Sequence, residues 1–313
     1  MSGKPQRLCS QTLRSIVGAI LALTIPTTNA CNSPHRAEPV VTAEKDGAGR
    51  SARLLSAFYG LDDNLPFRVH LICLGGGGRD GMPVILSHTV DDATLDAEDF
   101  RVMTRSGATK TPMCATLLPA IDAGETRTVL LIGDLGSATE DPPLTVTVVG
   151  DLVSDGRSGG PVNFKGQTAS VTPLHAGPRL VLAEIVPKGI WSVSGRGSAC
   201  PSESRQVVRV TWDGGVRRPD GEEAGNRERE LYRVTVQRPN GSLEEIQPDV
   251  LAELGDNDNN HLLCIDTKDP VLAVAFPAGY LVDPNQDRNQ DTRVELIRSS
   301  KPGGGPPHAR TRE

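Results

Sequence analysis

Aromatic residues are scarce in this chain, with Phe, Trp and Tyr together making up 3% of its 313 residues. Sugar-binding and single-strand-binding surfaces usually present stacking platforms, so the scarcity argues against both. Positive charge is not in excess either. The formal net charge is -6, and losing Lys4, Arg7 and Arg14 with the leading segment would remove three positive charges and leave -9. That balance disfavours nucleic acid, whose phosphates need a basic face. Long apolar runs are missing too. The run Ile16 to Ile25 spans about ten residues and is closed by Pro26, short of the roughly 20 that a membrane-spanning helix needs.

What that leading segment does carry is an export pattern. A basic stretch (Lys4, Arg7, Arg14), the apolar run and the small-residue site Thr28-Asn29-Ala30 read as a cleaved signal peptide over 1-30. Thr28-Asn29-Ala30-Cys31 also resembles the lipobox of bacterial lipoproteins, although Thr28 stands where a branched aliphatic residue is usual. The resemblance implies acylation of Cys31, with Asn32 then directing the protein to the outer membrane. Ordinary cleavage after Ala30, leaving Cys31 as a thiol, is the other reading. Either way the protein is expected in the periplasm or on the outer membrane.

Cys73, Cys114, Cys200 and Cys264 remain beyond this region, an even number for an oxidising compartment. Of three pairings, Cys73 with Cys114 and Cys200 with Cys264 keeps each disulfide within one half of the chain. The four are isolated, with no C-x-x-C pair, which disfavours a zinc site.

Short β-branched runs bounded by Gly, Pro, Asp or Ser predict strands at Arg68 to Leu74, Pro83 to Thr89, Phe100 to Thr104, Arg127 to Ile132 and Leu144 to Val149. The series continues at Val207 to Trp212, Leu231 to Gln237, Leu262 to Ile265, Val271 to Phe276 and Arg293 to Ile297. Leu144, Val146 and Val148 alternate with threonines, the pattern of a half-buried antiparallel strand. Pro239-Asn240-Gly241 predicts a hairpin turn. Only Pro248 to Leu254 and Glu222 to Glu230 read as short helices. The expected organisation is all-β: a polar linker over 31-53, two antiparallel β-sandwich domains over 54-175 and 176-298, and a disordered tail over 299-313.

Val90-Asp91-Asp92-Ala93-Thr94-Leu95-Asp96-Ala97-Glu98-Asp99-Phe100-Arg101-Val102, with Gly107 after it, resembles the opening of bacterial immunoglobulin-like (Ig-like) modules. Phe276-Pro277-Ala278-Gly279-Tyr280-Leu281-Val282-Asp283-Pro284-Asn285 resembles their closing segment. The likeness covers about a third of the chain and departs from antibody-type domains, since no Trp lies between Cys73 and Cys114. It implies a fold used for adhesion, spacing and binding, and brings no catalytic residue.

Two enzyme-like motifs match in letters. Gly76-Gly77-Gly78-Arg79-Asp80-Gly81 fits G-x-G-x-x-G, but the strand-like Met82-Pro83-Val84-Ile85-Leu86 follows it, in place of the helix that would hold a pyrophosphate. Gly156-Arg157-Ser158-Gly159-Gly160-Pro161 resembles the G-D-S-G-G-P segment of chymotrypsin-like proteases. There Ser158 would attack, His88 would take its proton and Asp122 or Asp134 would orient the histidine. Arg157 replaces the usual Asp, His88 lacks the family context, and the 70 positions from His88 to Ser158 are few for two barrels. A polar turn is the alternative.

Oxygen donors alternate in Asp256-Asn257-Asp258-Asn259-Asn260 and in Asp283, Asn285, Asp287, Asn289 and Asp291, as they do in Ca²⁺ loops. Arg288 and Val294 stand where an EF-hand needs Gly and Glu, and such residues also favour turns. Asp256, Asp258, Asp283, Asn285 and Asp287 are therefore calcium candidates set against solvated turns, and no other cofactor is expected. His70, His88, His175 and His261 are scattered singly, a weak basis for a transition-metal site. The function expected is non-catalytic binding or spacing, with an envelope or extracellular protein as partner and membrane contact only through a lipid anchor. A serine hydrolase centred on Ser158 and a calcium-binding module are the alternatives.

Overall fold

The computed structural model describes residues 51-157, 160-191, 199-252 and 258-297, all within one compact unit, Lys45-Glu313. The expected signal peptide, Cys31, Ser158, Asp256 and the tail lie outside these residues. Two eight-stranded sheets dominate. The first contains β1 (Leu54-Phe58), β2 (Asp80-Leu86), β3 (Phe100-Thr104), β4 (Thr109-Lys110), β5 (Cys114-Thr116), β6 (Thr128-Gly133), β7 (Pro143-Val148) and β8 (Thr168-Thr172). The second contains β9 (Leu180-Ile185), β10 (Gln206-Trp212), β11 (Arg233-Gln237), β12 (Leu243-Ile246), β13 (Val250-Ala252), β14 (Asn260-Ile265), β15 (Val271-Phe276) and β16 (Thr292-Ile297).

The spatial orders are β4-β3-β7-β8-β1-β2-β6-β5 and β12-β11-β15-β16-β9-β10-β14-β13. Counted from the first strand of each sheet, these orders are identical. Neighbours pair antiparallel except at one place in each sheet, where the first strand runs parallel to the last: β1 with β8 and β9 with β16. The chain is thus a structural duplication.

Each sheet curls over its own core. In the first half Met82, Val84, Val129 and Leu131 from β2 and β6 pack with Phe100, Val102, Val146 and Val148 from β3 and β7. In the second, Val208, Val210, Trp212 and Leu263 pack with Tyr232, Val234, Val274 and Phe276. The Trp212 indole donates to Tyr232 Oη, and Phe276 meets both rings edge-on or tilted. Disulfides join Cys73 to Cys114 and Cys200 to Cys264, the pairs that stay within one half. Each ties the segment between the first two strands of its sheet to the opposite edge region, on β5 in one half and on the adjoining position, β14, in the other. No helix among the described residues is long and apolar enough to cross a membrane.

Three local expectations are corrected. Phe67-Leu71 is a 3₁₀ turn, not the start of a strand. Pro66 opens it, and Cys73 is held to Cys114, so the run has no ladder to join. Val250-Ala252 is strand β13 paired with β14, not a helix, because a sheet edge there outweighs a four-residue apolar pattern. Leu144 is exposed and Pro143 buried, because the register of β3 with β7 slips between Met103 and Thr104 and leaves Leu144 as the extra residue of a bulge. The hairpin forms as expected, with Gly241 at φ 85° joining β11 to β12. A short helix, α1 (Asn226-Arg229), lies within the charged run.

Candidate functional site

The outer faces of β9 and β10 are not solvated. Alternation sends Val208, Val210 and Trp212 inward, which turns Arg209 and Thr211 outward, yet both are buried. The first half covers Arg209, and Thr211 donates to Asn260 Oδ1 beside it. Arg209 stands opposite Glu184 in the β9-β10 ladder, and its Nη1 lies 3.3 Å from Glu184 Oε1. The other oxygen of that carboxylate meets Arg127 Nη2 of the first half at 2.9 Å. Arg209 also reaches across, donating to the Ala123 carbonyl at 2.7 Å and lying 3.4 Å from Glu125 Oε1 through Nε.

Gly124 makes this approach feasible. Its φ of +88° disfavours any side chain, and a Cβ there would sit 2.5 Å from Arg209 Nη1. Around the charges, Thr128 donates to Asn259 Oδ1, Asn259 donates to the Trp212 carbonyl, and Asn285 donates to the Gly60 carbonyl at 2.5 Å. Gly214 abuts Phe58 so closely that a Cβ would lie 2.8 Å from the ring.

Glu125 is fully buried. Burial pushes its carboxyl up to about 9, the facing Asp258 carboxylate adds to the rise, and Arg209 opposes it. Asp258 is also raised by burial, against hydrogen bonds from Asn260. Burial thus holds both carboxyls above the ordinary carboxylate range.

Beside this network a cleft of about 410 Å³ opens between the halves. Its first wall is apolar, built by Phe58, Leu61, Leu65, Leu118 and Leu130, and its second carries Arg217, Asp258, Asn259 and Gln286. The volume falls within the range of small-molecule sites. A second cavity of about 590 Å³ gathers Arg218, Arg227, Arg288, Asp220 and Glu228. There Arg218 pairs with Asp220, Glu228 accepts from the Gly225 amide and Arg288 donates to the Gly279 carbonyl.

Comparison with known proteins adds no function. No family model matches the chain, and no curated protein matches it. Among solved structures, a DUF4785 family protein from Legionella pneumophila is 11% identical, with a TM-score of 0.18, over 70% of this chain and 52% of that one. The chain spans about half the length of that protein.

The remaining sequence candidates are dispersed. His88 packs edge-on against Phe164, with Nδ1 2.9 Å from Ser87 Oγ. Asp134 is held by Lys110 at 3.0 Å. Asp283 Oδ1 accepts the amides of Asn285 and Asp287, an Asx-type turn, and burial pushes its carboxyl up to about 6. Asn285 faces Gly60, and Asp258 belongs to the junction, so the structure puts the two acidic segments to different uses. Of the histidines, His261 bonds Tyr232 Oη at 2.8 Å and burial lowers it to about 4. Among the described residues, the carboxylates that gather within 4.8 Å are Asp62, Asp63 and Asp80. The oxygens of Asp62 and Asp80 accept from Tyr59 Oη and from the amides of Ala138, Asp63 and Leu135. The glycine-rich segment leads into β2, not into a helix.

The junction residues carried no sequence motif. Arg127 and Arg209 read as the polar positions of ordinary strands, and Glu184 lies on β9, a strand not predicted from the sequence. The only available signal was a charged residue inside an otherwise apolar run, as in Val207-Val208-Arg209-Val210.

Proposed function

We propose that this chain is an exported, non-catalytic binding protein made of two Ig-like modules locked into one body, receiving its ligand in the cleft between them. The carrying observation is that cleft, which neither half forms alone and whose apolar wall faces a row of polar side chains. The Ig-like reading is supported by strand order. One side of each sheet runs first, second, sixth, fifth and the other eighth, seventh, third, fourth, which corresponds to the ABED and GFCC′ arrangement of immunoglobulin sandwiches. Export is supported by the two disulfides and by the leading basic-apolar-small pattern, and a lipid at Cys31 by its lipobox-like context. Calcium has less support, because Asn260 engages both oxygens of Asp258 and the amides of its own turn engage Oδ1 of Asp283, whose Oδ2 alone is buried without a hydrogen-bond partner.

The test uses the dye 1-anilinonaphthalene-8-sulfonate as an apolar probe. The expected result is saturable binding of one dye per chain, lost in Leu118→Arg while the melting temperature is kept. Unsaturable binding, or binding indifferent to that substitution, overturns the cleft as the site.

A further inference from the structure

The segment Leu65-Arg79, between β1 and β2, turns apolar side chains to water. Phe67 is 81% exposed, Leu71 89% and Leu74 81%, with Ile72 beside them, and the 3₁₀ turn over Phe67-Leu71 buries none of its residues. Such a concentration on one short segment is unusual for a soluble surface and marks a contact site. The segment is nevertheless well built. Cys73 is bonded to Cys114, and Val69 packs with Leu61, Leu65 and Ile132 beneath it. The Phe67 and His70 rings stack at 5.5 Å, and His70 Nδ1 accepts the Gly75 amide. Gly77 allows the returning chain to touch Phe67, since a Cβ there would lie 3.1 Å from Phe67 Cα. The apolar side chains are thus presented by a stapled scaffold, which lowers the entropy lost on docking.

Charge selects the partner. In a chain of net charge -6, residues 64-79 contain no Asp or Glu and carry Arg68 and Arg79, both exposed. Asp62, Asp63 and Asp80 stand at the two ends of the segment; Asp62 and Asp80 accept from Tyr59 and backbone amides, and Asp63 is exposed. Apolar tips with Arg68 among them and the acids confined to the segment's ends match the boundary between acyl chains and anionic headgroups. We propose that this segment inserts Phe67, Leu71 and Leu74 into an anionic lipid surface, with Arg68 and Arg79 at headgroup level. The contact is additional to the binding cleft and does not depend on it or on acylation of Cys31.

The experiment uses the full chain carrying Leu71→Trp, a change at an exposed position. The native indoles of Trp191 and Trp212 are buried and serve as internal controls. With vesicles of phosphatidylcholine containing 30% phosphatidylglycerol, the introduced indole is expected to shift to the blue and to be quenched by brominated acyl chains. Adding Arg68→Glu and Arg79→Glu is expected to weaken partitioning by about thirty-fold or more, from the loss of two cations near the surface. The readout is local, so a lipid anchor elsewhere cannot mimic it. Vesicle binding with an unshifted, unquenched indole overturns the proposal, since it reports tethering alone. A blue shift that needs only high protein concentration also overturns it, by showing that the patch meets a second copy.

Discussion

Removing the Arg209 guanidinium tests whether the buried junction makes one body of two halves. The group touches Glu184, Glu125 and the Ala123 carbonyl, and it lies over Gly124. In Arg209→Ala, Glu184 keeps only Arg127, Asp258 loses its nearby cation, and a carbonyl of the first half loses its donor. Breaking a buried ion pair from one side costs about 3 to 5 kcal/mol. Glu184 is partly solvated, which favours the lower end, about 3 kcal/mol, or roughly two orders of magnitude in the unfolding constant. Both tryptophans, Trp191 and Trp212, belong to the second half. Urea unfolding followed by indole fluorescence therefore reports that half, whereas far-ultraviolet circular dichroism reports both. In the unmodified protein the two curves are expected to coincide. In Arg209→Ala they should separate as the halves unfold independently, and a cycle with Glu184→Gln should give a coupling of about 0.5 to 3 kcal/mol. A loss below about 1 kcal/mol with coincident curves would refute the reasoning.

Other outcomes follow from the same geometry. Glu125 has a folded pKa of about 9 against an ordinary 4.5, so its contribution to stability is complete below 4.5 and is lost as pH rises toward 9. Glu125→Gln is expected to flatten that decline and to gain on the parent protein between pH 5 and 9; superimposable melting profiles would contradict it. Excess chelator should leave the melting temperature unchanged, whereas a drop of several degrees would reinstate a calcium site. A serine-directed fluorophosphonate should fail to label the protein, and labelling abolished by Ser158→Ala would establish a hydrolase. Protein recovered from its own host's envelope should show the mass of a chain beginning at an acylated Cys31 and lacking the four hydrogens of two disulfides; a bare chain would remove the lipid anchor.

Much of the architecture was legible in the residues, and the exceptions have physical causes. Val207 to Trp212 and Val271 to Phe276 declare themselves through β-branched density, and the two short-range cysteine pairings follow from economy of chain. Strands such as β8 (Thr168-Thr172) and β12 (Leu243-Ile246) escaped notice because they lie toward solvent and need little apolar character. The apolar stretch Arg68 to Leu74 misled in the opposite direction: only Val69 and Cys73 face a core, while Leu71, Ile72 and Leu74 are exposed. The site was the least legible part. Glu184 and Arg209 meet across one ladder, but Glu125 and Arg127 join them only when two distant sheets come together, and pairing across 25 to 86 positions leaves no local periodicity to read.

The parallel pairing of first strand with last has a kinetic consequence. In the first half, Ala57 on β1 must find Val171 on β8, and in the second, Ala183 on β9 must find Leu296 on β16. Neither sandwich can close until its final strand is available, so the slowest contacts to form are also those that join the two faces of each core. A nascent or translocating chain stopped short of Thr292-Ile297 would leave β9 and β15 as open edges beside an unsealed second core. Such edges recruit foreign strands, and aggregation is then the expected fate of incomplete chains.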